Sequence, residues 1–238
     1  MNRSISCSLL LILFIYNLAS ADPLKASALH IKKSADFALD GSGTSPLWEN
    51  ANWVDVPKYN ELGQDFDTRF KMLHSETGVY FLFHCEDDTI TSTLQEDYAD
   101  IFREDAVEIF IWPDESSNIY FEYEISPANY ELILLVPNYD GDFHGWRPWR
   151  VREDRETRHE TQIHSDSEGQ VTHWTAEFFI PYALFKPLQN VPAEPGTHWR
   201  ANFYRADRDT GERAIWAWKP FEKRFHEYKK FGYLYFSD

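Results

Sequence analysis

Apolar residues in this chain recur with a period of two, in short runs closed by Pro, Gly, Asp or Asn, and nowhere with a period of 3.6 held over three turns. Such a pattern favours strands, because alternate side chains of an extended backbone point to opposite faces. Strands are predicted over residues 68–73 and 78–85, joined as a hairpin through His74-Ser75-Glu76-Thr77. Another covers 106–112, stopped by Pro113-Asp114, with Val107, Ile109 and Ile111 on one face and Glu108, Phe110 and Trp112 on the other. Further strands are read at 119–126, 131–136 (ended by Pro137), 174–180, 199–204, 213–218 and 231–236. Residues 138–142 read as a loop, and Pro181 opens one short helical turn running to Phe185. Roughly ten short strands imply an all-β fold: an antiparallel two-sheet β-sandwich of immunoglobulin or jelly-roll type, with at most short helical turns.

The first 21 residues are expected to leave before the chain folds. Arg3, the apolar run Leu9 to Tyr16 and the small residues Ala19-Ser20-Ala21 together read as a secretory signal peptide cut after Ala21. The run is too short for a membrane span, which needs about 20 residues. Residues 22–238 then form one domain, soluble, and secreted or periplasmic. Cys7 departs with the signal, leaving Cys85 without a disulfide partner. His84 adjoins it but faces the other side of the strand, so Cys85 reads as a buried packing residue. The net charge of −16 repels nucleic acid and anionic lipid, and leaves neutral glycans or cations as partners. Nine Trp and 17% aromatic residues exceed what a core of this size needs, so some rings are expected to meet solvent or a ligand.

Among chemistry-bearing residues, the scattered histidines make no metal motif, and Met72 offers haem ligation only weakly. Glu86-Asp87-Asp88, Asp140-Gly141-Asp142 and Asp207-Arg208-Asp209 are acidic turns able to take calcium, although none has an EF-hand spacing. Glu108, Glu122, Glu124 and Glu177 lie in strands and could supply a carboxylate pair for glycoside hydrolysis. Aromatic binding is the stronger physical idea: flat rings stack on the C–H face of a sugar while polar side chains hold its hydroxyls. Trp112, Trp146, Trp149, Phe102 and Phe225 are candidate platforms, and Trp146-Arg147-Pro148-Trp149-Arg150 sets two Trp and two Arg in one broken loop.

Four stretches carry a family resemblance across the predicted mature chain. They are Leu39-Asp40-Gly41 with Trp48-Glu49-Asn50-Ala51, Arg103 to Ile111, Trp174 to Pro181, and Trp218-Lys219-Pro220 with Phe225-His226 and Phe231-Gly232-Tyr233-Leu234. Together they resemble the family 9 carbohydrate-binding modules, of the DOMON-like sandwich type. The resemblance implies a sugar-binding sandwich, often with structural calcium, whose members clamp the sugar between two tryptophans. The matching positions here are Phe102 and Phe225. Glu108 matches a carboxylate that bonds sugar hydroxyls, and Glu124 stands where the family has an arginine. Trp146 and Arg147, in a lengthened loop, are expected to take over part of the contact.

The sequence thus leads to an exported binder of neutral oligo- or polysaccharide. Phe102, Phe225 and Trp146 would act as platforms and Glu108, Glu124 and Arg147 as hydroxyl partners, supporting polysaccharide degradation or uptake beside other components of such a system. Two alternatives stay open: a glycoside hydrolase-like enzyme using strand glutamates, and an aromatic protein-interaction domain.

Overall fold

A computed structural model describes residues 23–150 and 156–238; the predicted signal segment and its cleavage site lie outside the described residues. A helical turn, α1 (Pro23–Ala26), precedes the strands β1 (Leu29–Lys32), β2 (Val54–Asp55), β3 (Thr68–His74), β4 (Gly78–Glu86), β5 (Ala106–Trp112), β6 (Ile119–Ile125) and β7 (Glu131–Tyr139). There follow β8 (Asp142–Phe143), β9 (Arg147–Pro148), β10 (Arg158–Ser165), β11 (Val171–Pro181), β12 (His198–Asp207), β13 (Ala214–Ala217) and β14 (Gly232–Ser237). One sheet of nine strands runs in the order β1-β14-β12-β5-β6-β7-β8, with β13 on β12 and β9 on β7; the second runs β10-β11-β4-β3-β2.

The two sheets close on a shared core. Val107, Ile109 and Ile111 of β5 and Phe121 and Tyr123 of β6 meet Phe70, Phe81, Phe83, Trp174 and Phe178 of the smaller sheet. The smaller sheet is also covered on its outer side, where Trp48, Leu73, Tyr80, Leu82 and Phe179 pack under Phe37 and Leu39. On the outer side of the larger sheet, Phe110, Trp112, Tyr120, Leu134 and Tyr204 pack with Phe225, Tyr228 and Phe231 of the segment before β14. Both faces of β5 are therefore buried along its length, which is why so many aromatics are accommodated. Trp48, Trp112, Trp174, Trp199, Trp216 and Trp218 are all buried, so Trp112 is no open platform. Trp149 is half-buried against the inter-sheet core, its indole N–H given to the Leu184 carbonyl at 2.8 Å.

The sandwich agrees with the pattern of the sequence, with four local differences. Pro137 does not end its strand: β7 continues to Tyr139, and the Pro137 carbonyl accepts the His144 N–H at 3.1 Å. The segment read as a loop is a two-residue hairpin, in which Asp140 (φ 51°) and Gly141 (φ 88°) turn β7 back into β8. Asp-Gly suits this turn because both central positions need positive φ. Strand β10 went unread because its side chains alternate only between exposed and half-buried and are mostly polar, as befits a strand paired on one side. Strand β1, within the polar opening segment, pairs parallel with β14, so the architecture is not antiparallel throughout. Cys85 is buried in the core as expected, and so is Met72.

Glu177, one of the strand glutamates considered for hydrolysis, lies in the smaller sheet, away from the others. Its Oε1 accepts the Trp48 indole N–H at 2.7 Å, and its Oε2 accepts the N–H groups of Asp40 (3.0 Å) and Gly41 (2.9 Å). Gly41, at φ 78°, turns the chain so that both amides converge on this carboxylate. The Asp-Gly, Trp and Glu of two separate sequence motifs are thus one structural clasp. Replacing Glu177 by Gln puts an N–H₂ among these donors, and a loss of about 1–3 kcal/mol in unfolding free energy is expected. Chemical denaturation measures it; wild-type stability in the variant would show that the clasp contributes nothing.

Candidate functional site

The β5–β6 register sets Glu108 directly opposite Glu124 and Phe110 opposite Glu122. Because Val107, Ile109 and Ile111 face the inter-sheet core, Glu108 must face outward, and Glu122 and Glu124, two residues apart, join it on that side. The three buried carboxylates bring one oxygen each to within 4.8 Å of the others. They floor a cavity of about 300 Å³ whose walls include Phe102, Leu134, Trp146, Phe221, Phe225 and His226.

Each wall is held by identifiable bonds. Phe102 rides on a 3-10 turn, Ile101–Arg103, just before β5. Beyond it, the Glu104 carboxylate accepts the N–H groups of Thr93 and Leu94, and Asp105 accepts those of Thr91 and Arg208. On the opposite side, Glu227 gathers the N–H groups of Glu222 (2.9 Å), Lys223 (2.6 Å) and Arg224 (3.3 Å) and pairs with Lys230 at 2.9 Å. These bonds and the Lys230 charge overcome the cost of partial burial and pull its carboxyl down to about 2. Tyr204 fixes Phe225 twice, by parallel stacking at 4.1 Å and by donating its hydroxyl to the Phe225 carbonyl at 2.8 Å.

Of the sequence-predicted residues, Phe102, Glu108, Glu124, Trp146 and Phe225 line this cavity together. Arg147 does not. It is exposed on β9, where Nη1 donates to the Trp146 carbonyl at 3.2 Å, because pairing of β9 with β7 turns it away from the floor. The cations of the cavity are instead Arg213, Lys223 and Arg224, which the sequence reading did not name. Arg213 Nη2 donates to Glu108 Oε1 at 2.9 Å, and its guanidinium lies 4.5 Å from the centre of the Phe225 ring. Phe225 is therefore stacked by Tyr204 and by Arg213, and only 7% of it is exposed. Trp146 is the open ring, 40% exposed, edge-on to Phe102 at 6.1 Å. Glu122, seen in the sequence only as a strand glutamate, is the third member of the floor; its alternation with Glu124 was the available signal.

Burial pushes all three carboxyls up, with Glu122 reaching about 8 and Glu124 driven well above the usual carboxylate range by burial and by the Glu108 and Glu122 charges. Among the described residues no hydrogen-bond partner reaches Glu122 Oε2 or Glu124 Oε2, both of which are buried. His226, lowered to about 4 by burial and by Arg224 and Arg213, is neutral, and its Nδ1 is engaged by the Tyr120 hydroxyl.

Two of the three acidic turns come together elsewhere: Asp87, Asp207 and Asp209 place one oxygen each within 4.8 Å of one another. Asp140-Gly141-Asp142 is the hairpin turn and joins neither cluster. Fully buried Arg205 donates through Nη2 to Asp87 Oδ2 and to Asp207 Oδ2, both at 2.9 Å. Burial pushes Asp87 up to about 8 and nearby Asp105 to about 7. The cluster thus contains its own cation, and a calcium ion there would need backbone carbonyls or water to complete the six to eight oxygens that it takes. The described side chains form a carboxylate–guanidinium knot.

A family model described as carbohydrate family 9 binding domain-like matches residues 39–237. No curated protein matches the chain. Among solved structures, a candidate carbohydrate-binding protein of Bacteroides uniformis is 16% identical, with a TM-score of 0.73, covering 88% of this chain and 99% of that one. A family 9 carbohydrate-binding module of Caldicellulosiruptor kristjanssonii in complex with cellotriose gives 15% identity and a TM-score of 0.62, covering 88% of this chain and 93% of that one. The complex with glucose gives 16% and 0.60, covering 87% and 95%. At these identities the likeness shows the fold.

The folded value of Glu122, about 8, lies above the ordinary 4.5, so folding takes up a proton there. Glu108, Glu124, Arg213, His226 and Tyr120 face the same group. Its contribution to stability is complete below pH 4.5 and is lost as pH rises through about 8. Wild type should therefore lose stability across that window relative to Glu122→Gln, measured by denaturation at both ends. Parallel pH profiles would contradict a proton held at this site.

Proposed function

The chain belongs to the carbohydrate family 9 binding domain-like family, and from that premise we propose that it is an exported protein binding an oligo- or polysaccharide in the cavity between Phe102, Trp146 and Phe225. The observation that carries the reading is the joining of aromatic walls to a carboxylate floor in one cavity of about 300 Å³, a size suited to one or two sugar units. Trp146 offers its half-open face to the C–H side of a ring. Phe102 and Phe225 bound the sugar, and Glu108, Glu124 and Arg213 take its hydroxyls. Because Arg213 lies against Phe225, the two-ring clamp of the resemblance becomes here one open indole with two supporting phenyl rings. The solved modules in complex with cellotriose and glucose favour a gluco-configured reference ligand. Export by the leader, and action beside other components of a glycan-degrading or uptake system, complete the proposal.

Titration with cello-oligosaccharides should give a Kd of about 10⁻³ to 10⁻⁶ M, since a sugar this small offers few atoms. Trp146→Ala should weaken binding about tenfold, on the order of 1.4 kcal/mol, whereas Arg147→Ala should stay within about twofold. Glu108→Gln should lower affinity, with no hydrolysis by either protein. Turnover by wild type that Glu108→Gln abolishes would replace the binder with a hydrolase, and full affinity in Trp146→Ala would move the site elsewhere.

A further inference from the structure

Resting on the carbohydrate reading above, we infer that the sugar unit this cavity is built to hold carries a free amine: an unacetylated amino-sugar residue whose ammonium sits among Glu108, Glu122 and Glu124. The floor holds three buried carboxylates and a single paired cation, Arg213, whose ion pair goes to Glu108. Glu122 Oε2 and Glu124 Oε2 are fully shielded from solvent and receive no hydrogen bond from any neighbouring donor group. His226 approaches Glu122 Oε2 at 3.8 Å but is neutral and already engaged by Tyr120, so it supplies no charge. Lys223 and Arg224 line the cavity but are exposed, where solvent screens them. A neutral hexose would bring hydroxyl donors but no positive charge against which Glu122 and Glu124 could ionise. An ammonium brings both.

The geometry fits one nitrogen. Three oxygens lying within 4.8 Å of one another can share a common centre about 2.8 Å from each, an N–H···O distance. An ammonium has three N–H donors to give. The walls of the same cavity are aromatic, and among them the exposed ring of Trp146 attracts positive charge through its face. A metal ion alone would have no use for those walls. At longer range, a chain of net charge −16 draws in a cationic polysaccharide and has no such effect on a neutral one. Before the ligand arrives, burial favours the protonated carboxyls of Glu122 and Glu124; an ammonium among them favours their ionised form, and the protons leave to solvent.

Calorimetric titration of the full chain, with a chelator present, compares three oligosaccharide series of equal length: deacetylated chitin oligomers, their N-acetylated parents and cello-oligosaccharides. The deacetylated series should bind at least about tenfold more tightly than the others at neutral pH, and heats in buffers of different ionisation enthalpy should show proton release. Glu124→Gln and Glu122→Gln, each checked for an unaltered fold by circular dichroism, should shrink that preference to about threefold or less. Equal affinity across the series, tighter binding of the neutral sugars, or amine binding that requires an added divalent ion would overturn this inference and leave the carbohydrate reading standing. No binding by any series would remove both.

Discussion

A strand has two faces, and the sequence of β5 assigns each of its side chains to one of them. Val107, Ile109 and Ile111 can satisfy the inter-sheet core only if Glu108, Phe110 and Trp112 turn outward, and pairing with β6 then brings Glu122 and Glu124 to the same outer surface. A slip of one residue would exchange the two sets and bury carboxylates between the sheets, where nothing compensates them. Packing of the core thus fixes the register, and the register assembles the polar floor. The lining of the cavity follows from that constraint: the 3-10 turn bearing Phe102 leads directly into β5, and the segment bearing Phe225 lies over Phe110.

Three acidic groups buried together oppose the compact state, and the fold holds them through its surroundings. The shared core is large, one carboxylate has an arginine, and burial favours the protonated form of the other two. Sites of this kind retain an unfavourable arrangement that a bound partner can relieve. Arg205 and its aspartates show the other solution, in which the neutralising cation belongs to the protein itself. Within one sandwich, therefore, one acidic cluster is closed by an internal guanidinium and the other opens into a cavity.

Much of this was legible in the sequence because period-two patterning is strong wherever a strand is buried on both faces. Strands β3 to β6 were read closely for that reason. Strand β10 was not, since an edge strand with polar side chains leaves almost no periodic signal, and β7 was cut short because a proline can still join a ladder through its carbonyl, as Pro137 does with the His144 N–H. For the site, Glu108 and Glu124 came from strand alternation and the family resemblance, and Phe102 and Phe225 from the argument for aromatic platforms and the same resemblance. Arg213, Lys223 and Arg224 were missed. They lie in or near loops whose placement depends on how β12, β13 and the last segment fold back, and no local spacing encodes that return. Arg147 was chosen for its neighbours in sequence, yet pairing of β9 with β7 sends it away from them in space.

The parallel pairing of β1 with β14 gives the domain a mechanical character. Leu29 to Lys32 lies in register with Leu234 to Ser237, so tension applied to the chain on either side of the domain drags the two strands along each other. All the hydrogen bonds between them bear the load at once, whereas an antiparallel terminal pair would peel apart one bond at a time.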